Sequence, residues 1–240
     1  MSGPPVLRMV DVVKTFRSGA LVTPVLHGIS LEIPPGGLTL IMGPSGSGKT
    51  TLISLLTGLF RPSSGRVELC GAPISELPEA DVARVRRARL GFVFQSYNLF
   101  PAMSAQDNVA VALQMSGLSW KCARSRAADA LERVGLGHRL THRPADLSGG
   151  EKQRVAIARA LATHPTIIVG DEVTAALDGV TAFQIMDLLR THVGPDTAVI
   201  LVTHDRRLER FAERVIEMED GRVRADRPSE RPPQHMRAAS

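Results

Sequence analysis

The chain has 240 residues, 43% hydrophobic and 22% charged, with a formal net charge of +5. That balance argues against intrinsic disorder and leaves room for one large domain but not two. Apolar runs such as Leu38–Met42 fall well short of the roughly 18 residues a membrane helix needs. Pro4, Pro5, Arg8 and Asp11 interrupt any secretory leader, so a soluble, cytosolic chain is expected. Cys70 and Cys122 lack ligand spacing and are expected to be reduced, small apolar packers.

Strands are expected over 6–13 and 24–33, the second with Val25, Ile29, Leu31 and Ile33 recurring before the Pro34-Pro35-Gly36-Gly37 turn. Leu38–Met42 reads as a compact strand, and Thr50–Leu59 as a helix with Leu52, Leu55, Leu56 and Leu59 on one side. A hairpin over 61–77, a basic helix over 81–89 and a strand over 91–94 follow, the last ending at Gln95. From Ser104 to Arg139 the pattern is helical, with caps and stops at Ser104, Gly117 and Gly135-Leu136-Gly137. A further helix spans 148–164. Strands at 166–169 and 198–202 flank a helix over 180–192. Nearly unbroken Val, Ile and Leu strands alternating with helices belong to a parallel sheet covered on both faces. Residues 214–223 read as a closing hairpin. Beyond Ala225, a composition of Pro, Arg, Ser and Gln predicts a disordered basic tail over 226–240.

Three strings carry chemistry. Gly43-Pro44-Ser45-Gly46-Ser47-Gly48-Lys49-Thr50 fits GxxxxGK[ST] between a strand and a helix. Its glycines let backbone N–H groups converge on phosphate oxygens, and the following helix adds its positive end. Lys49 is placed to neutralise β/γ-phosphate charge and the Thr50 hydroxyl to ligate Mg²⁺. The strand over 166–169 leads to Asp171-Glu172, an acidic pair suited either to a metal shell or to a helix cap. The third string is Leu147-Ser148-Gly149-Gly150-Glu151-Lys152-Gln153-Arg154. Ser148 and Glu151 stand in capping-box relation, but a bare cap requires neither the two glycines nor Gln153-Arg154.

With LSGGEKQR between the other two motifs, the chain resembles the ATP-binding cassette (ABC) ATPases from about Val6 to Val223. The resemblance implies an α/β P-loop NTPase over 1–225. It would comprise a RecA-like parallel core, an N-terminal antiparallel β-subdomain and a helical subdomain over about 96–160. It also implies two copies closing head to tail on Mg²⁺ and ATP. The phosphate loop and Thr51 of one chain would hold a nucleotide touched by Ser148, Gly149 and Gly150 of the other. Asp171, Thr50 and Gln95 would serve the metal. Glu172 would polarise the attacking water, His204 in Val202-Thr203-His204-Asp205 would contact the γ-phosphate, and Phe16 in Lys14-Thr15-Phe16 would stack on adenine.

Within the superfamily, Phe92–Leu99 and His142–Leu147 are similar to the macrolide-exporter and lipoprotein-releasing group. Met218-Glu219-Asp220-Gly221 resembles the heterocyst-type glycolipid exporters within it. The implied protein is a peripheral ATPase on the cytoplasmic face of the inner membrane. It would drive a separate permease docked near the groove between Gln95 and Ser104, export or extract a lipophilic substrate, and bind no nucleic acid. The rival is a cell-division type cassette, which transmits force or a signal to a membrane partner without moving a substrate. One departure stands out: Val173 occupies a position where the family usually has proline, and the following loop reads Thr174-Ala175-Ala176-Leu177-Asp178. Proline restricts the backbone there, so altered coupling between the two sites is expected.

Overall fold

The computed structural model describes residues 3–19 and 21–230. β1 (Leu7–Ser18) and β2 (Leu21–Ile33) form an antiparallel pair running from Leu7↔Ile33 to Ser18↔Leu21. β3 (Leu38–Met42) leaves that sheet, and β4 (Ser64–Leu69) returns to the free side of β1, giving the order β2-β1-β4. No second strand of a 61–77 hairpin forms beyond the isolated bridge Leu69↔Ala72. Pro73 and Pro78 lack the N–H that a returning ladder would need.

The second sheet has the order β5-β6-β7-β3-β8-β9, built from β5 (Leu90–Val93), β6 (Ile167–Asp171), β7 (Ala198–Thr203), β8 (Arg214–Glu219) and β9 (Arg222–Pro228). All neighbours are parallel except β8 and β9. β3 and β7 are buried at every position, as strands covered on both faces must be. One core lies between the two sheets around α1 (Lys49–Leu56), with α2 (Glu79–Arg89) at its margin. A second covers the opposite face of the large sheet. The third joins α3 (Ala105–Met115), α4 (Trp120–Arg133) and α5 (Gly149–Leu161). α6 (Gly179–Arg190) packs in the second core. Ser104, Ser119, Ser148 and Asp178 cap α3, α4, α5 and α6 with their side-chain oxygens, each satisfying N–H groups the helix leaves unpaired. No helix among the described residues is long and apolar enough to cross a membrane.

Among the expected boundaries that move, two have a plain physical cause. α1 stops at Leu56, because Gly58 adopts a left-handed φ of 68° and ends the helix as such residues do. Leu59 is therefore 44% exposed instead of lying on the buried side. The C-terminal hairpin also continues past Ala225: β9 runs to Pro228, and Ser229 is buried. Arg227 explains this, since its guanidinium donates to Glu209 at 2.7 Å and to Glu217 at 2.8 Å. Those two carboxylates hold its pKa above the ordinary arginine value. The disorder expected over 226–240 is thus corrected for residues 226–230, and residues 231–240 lie outside the described residues.

Gly91 is where β5 meets α5 most closely. A Cβ there would stand 2.4 Å from the Ala160 carbonyl oxygen and 3.0 Å from Pro165. Backbone cannot yield as a side-chain tip can, so Gly91→Ala is expected to destabilise the fold by about 3 kcal/mol. Differential scanning calorimetry should show Tm falling by on the order of 5–10 °C.

Candidate functional site

Parallel register sets the C-terminal ends of β3, β7 and β6 side by side, with Met42 opposite Thr203 and Asp171 opposite Val202. The loops leaving these ends carry Gly43–Gly48, Asp171-Glu172 and His204 to one edge of the sheet, where open α/β folds place their ligand crevices. Gly43 must be glycine: a Cβ would lie 2.2 Å from the Met218 carbonyl oxygen and 2.8 Å from Ser47 Oγ. Gly48 has φ 95°, and a Cβ there would meet Leu26 at 2.7 Å. The loop is clamped from behind by the Gly221 amide donating to the Ser47 carbonyl at 3.1 Å. α1 begins directly after it, with neither a capping side chain nor an acidic residue in its first turn. Its unpaired N–H groups and positive end face the loop and suit an anion.

Lys49 is buried, and its ammonium donates to the carbonyls of Gly43 and Pro44 at 2.8 Å each. Burial pushes its pKa down, while Glu172 and Asp171 oppose the shift. Asp171 moves the other way: burial raises its pKa, against a hydrogen bond from Thr50 and the charge of Lys49. Asp171 Oδ1 is buried without a hydrogen-bond partner, an orphan acceptor of the kind a hard cation satisfies. Thr50 and Asp171, with Gln95 across the cleft, are thus an oxygen donor set that fits Mg²⁺. Glu172 sits at φ 48°, strained for a side chain of its kind, and its amide donates to the Val202 carbonyl at 2.9 Å. Its Oε1 lies 2.9 Å from His204 Nδ1.

Pro44, Ser45, Gly46, Gly48, Lys49, Thr50, Thr51, Gln95, Glu172 and His204 line one open cleft of about 760 Å³. Val25 of β2 also lines it; its place in an ordinary alternating strand gave no signal of this. Phe16 is not among the lining residues. It stands opposite Thr23, 38% exposed, edge-on to Phe60 with ring centroids 5.6 Å apart. Lys14 Nζ lies 5.0 Å from its centroid.

Ser148, Gly149 and Gly150 do not line the cleft either. The Ser148 amide donates to Glu151 Oε2 at 2.8 Å and the Glu151 amide to Ser148 Oγ at 3.3 Å, so the capping box is formed. A Cβ on Gly150 would meet Thr181 of α6 at 2.8 Å, and one on Gly149 would touch Tyr97 Oη at 3.4 Å. Val173 is buried in the second core, with its Cγ1 packed against Gly170. It therefore serves as a core side chain where the loop leaves β6.

The family model described as ABC transporter matches residues 26–175. The chain is 42% identical over 224 residues to an ABC transporter ATP-binding protein of Mycobacterium tuberculosis, covering 93% of this chain and 68% of that one. It is 46% identical over 226 residues to the macrolide export ATP-binding/permease protein MacB of Brucella melitensis, covering 94% of this chain and 35% of the relative. This chain thus spans about a third of that longer protein. Among solved structures, the dimeric post-hydrolysis state of the ATP-binding cassette MJ0796, bound to ADP and Pi, superposes with a TM-score of 0.87 at 37% identity. That match covers 93% of this chain and 99% of the other. The cbiO1 subunit from Clostridium perfringens gives 0.82 at 30% identity, covering 99% and 92%.

The capping box yields a pH prediction. The Ser148 amide, then its hydroxyl and Arg139, hold Glu151 below the ordinary carboxylate pKa. A depressed carboxylate contributes stability above its unfolded pKa of about 4.3 and loses it as pH falls through the lower folded value. Glu151→Ala should therefore cost about 1 kcal/mol at pH 7. Urea unfolding should show that difference from wild type shrinking toward zero as the pH is lowered through the acid range.

Proposed function

This chain belongs to the ABC transporter family, and we propose that it is the ATP-hydrolysing subunit of a transporter whose membrane-spanning part is a separate permease. The observation that carries this reading is the single cleft uniting the phosphate loop, Gln95, Glu172 and His204, with the orphan Asp171 oxygen behind it. Ser148–Gly150 face elsewhere, leaving each site to be completed by a second copy. The dimeric assembly of the MJ0796 cassette supports that pairing.

In this mechanism, backbone N–H groups of Gly46–Thr50 and the Lys49 ammonium bind the nucleotide phosphates and offset their charge. Thr50, Asp171 and Gln95 would hold Mg²⁺, which when bound would neutralise phosphate charge. Glu172 hydrogen-bonds and orients the attacking water, and His204, already paired with Glu172, steadies it at the γ-phosphate. Phe16 offers adenine a stacking surface from outside the cleft, and Val25 gives the cleft itself an apolar side. Catalysis is positioning and charge stabilisation. Ser148, with the amides of Gly149 and Gly150 at the start of α5, grips the γ-phosphate bound to the second copy, so ATP closes the dimer and hydrolysis opens it.

The permease docks on an apolar groove of about 350 Å³ lined by Leu59, Phe92, Phe94 and Met115, beside rather than within the expected stretch between Gln95 and Ser104, at the cytoplasmic face of the inner membrane. Similarity to the macrolide export proteins supports outward transport or extraction of a lipophilic substrate.

Glu172→Gln removes the base while keeping shape and hydrogen bonding. Phosphate release should fall by on the order of 10²–10⁴-fold, with ATP binding retained. Light scattering should then show a dimer with ATP and a monomer with ADP. Captured from native membranes with ATP, this variant should bring with it a multi-span membrane protein. A trapped dimer that recovers none would overturn the transporter assignment in favour of a soluble regulatory ATPase.

A further inference from the structure

Two consecutive residues after Gln95, Tyr97 and Asn98, have left-handed backbones with φ 62° and 46°. Asparagine pays less for this region than tyrosine, but both conformations are strained and persist only where the surroundings impose them. Local hydrogen bonds are present: the Tyr97 amide donates to the Phe94 carbonyl at 3.1 Å, and the Asn98 amide to the Ser96 carbonyl at 2.7 Å. They shape the turn, but they do not tie it to the rest of the molecule.

Arg159, in the last turn of α5, makes that tie. Its Nη1 donates to the Asn98 carbonyl at 2.5 Å and its Nη2 to the Tyr97 carbonyl at 2.8 Å. One planar fork spans two successive carbonyls, a geometry lysine cannot reproduce. Among the described residues no carboxylate pairs with Arg159, and burial pushes its pKa down. A partly desolvated guanidinium whose partners are two carbonyls is a costly arrangement, and its one visible return is the fixed turn. The turn has two consequences. Gln95, two residues before Tyr97, lines the phosphate cleft. The Tyr97 hydroxyl lies against Gly149 at the start of the same helix that carries Arg159. Arg159 also borders the apolar groove beside Phe92 and Phe94.

We infer that Arg159 is a positioning residue for ATP hydrolysis: by gripping the Tyr97 and Asn98 carbonyls it sets Gln95 in its own chain's site and Tyr97 against the Gly149 offered to the second copy. This rests on the ATPase reading above and adds to it a link between the two ends of α5.

The test compares wild type, Arg159→Lys, Arg159→Met and the double variant Arg159→Met/Asn98→Gly. The first readout, amide hydrogen exchange over residues 94–100 without nucleotide, is independent of activity. Both single variants should speed exchange there at least tenfold while leaving β3 and β7 protected. The second readout is ATPase activity against Mg²⁺ concentration. Arg159→Lys should lower kcat about tenfold and raise the Mg²⁺ requirement several-fold, with unchanged affinity for ATP in EDTA.

Glycine at 98 removes one left-handed penalty, so the double variant should regain part of the activity lost in Arg159→Met. A groove-packing or purely structural role for Arg159 predicts no such rescue. Unchanged loop exchange in Arg159→Lys would overturn the inference, as would a Tm loss in both single variants without any shift in Mg²⁺ dependence. Wild-type protein that exchanges as expected but hydrolyses no ATP would instead refute the ATPase reading alone.

Discussion

Everything at this site depends on the parallel hydrogen-bond register of β6, β7 and β3. Because Met42 stands opposite Thr203 and Asp171 opposite Val202, three loops far apart in sequence begin at the same height. A slip of one residue would exchange the side chains that face the two cores on either side of the sheet and would move Glu172 away from His204. Packing of alternate residues into two different cores helps to hold the register, since β3 and β7 hide every residue. The chemistry is thus a by-product of how Val, Ile and Leu pack.

The charge balance of the cleft follows from that convergence. One ammonium, Lys49, faces two carboxylates, Asp171 and Glu172, and burial works against the charged forms of Lys49 and Asp171. A polyanion alone would add to the excess of negative charge beside Asp171. A polyanion carrying a divalent cation would relieve it, because the cation takes the orphan oxygen while Lys49 faces the phosphates. On the proposed reading, the cleft would suit a metal–nucleotide pair more than either component. The same reasoning separates the two glycine-rich motifs. Gly43 is glycine because the Met218 carbonyl passes close behind it, whereas Gly150 is glycine because Thr181 presses against it.

Much of this was legible in the chain. The alternation of apolar strands with helices announced a covered parallel sheet, and the phosphate loop, Glu172 and His204 singled out in the sequence line one cleft. What escaped notice has physical causes. β4 looked like half of a hairpin because turn residues surround it, but its partner is β1, more than fifty residues upstream in places, and no local pattern reports that. The end of α1 was overrun because leucine spacing continues through Leu59, although Gly58 had already turned the chain. The tail read as solvated because arginine in a Pro-rich stretch suggests solvent, whereas Arg227 answers to Glu209 and Glu217. Arg159 was invisible for a similar reason. In an amphipathic helix, one more basic residue looks like surface, and only the fold brings it two unpaired carbonyls.

The neighbours of β3 impose an order of assembly. This strand, which launches the phosphate loop, pairs with β7 and β8, and residues 198–219 leave the ribosome long after residues 38–42. At typical elongation rates that interval is on the order of ten seconds, during which the strand has no permanent partner on either side. Closing so long a loop is slow as well. The nucleotide loop is therefore among the first functional segments to be synthesised and among the last to acquire its walls, since the carbonyl behind Gly43 belongs to Met218 and the clamp on Ser47 to Gly221. Nascent chains shorter than about β8 should be unable to retain ATP, and should lean on chaperones through the exposed Leu38–Met42 segment. Nucleotide, binding only once the last hairpin has closed, would then act as a late lock on a domain whose earliest motif had been waiting for it.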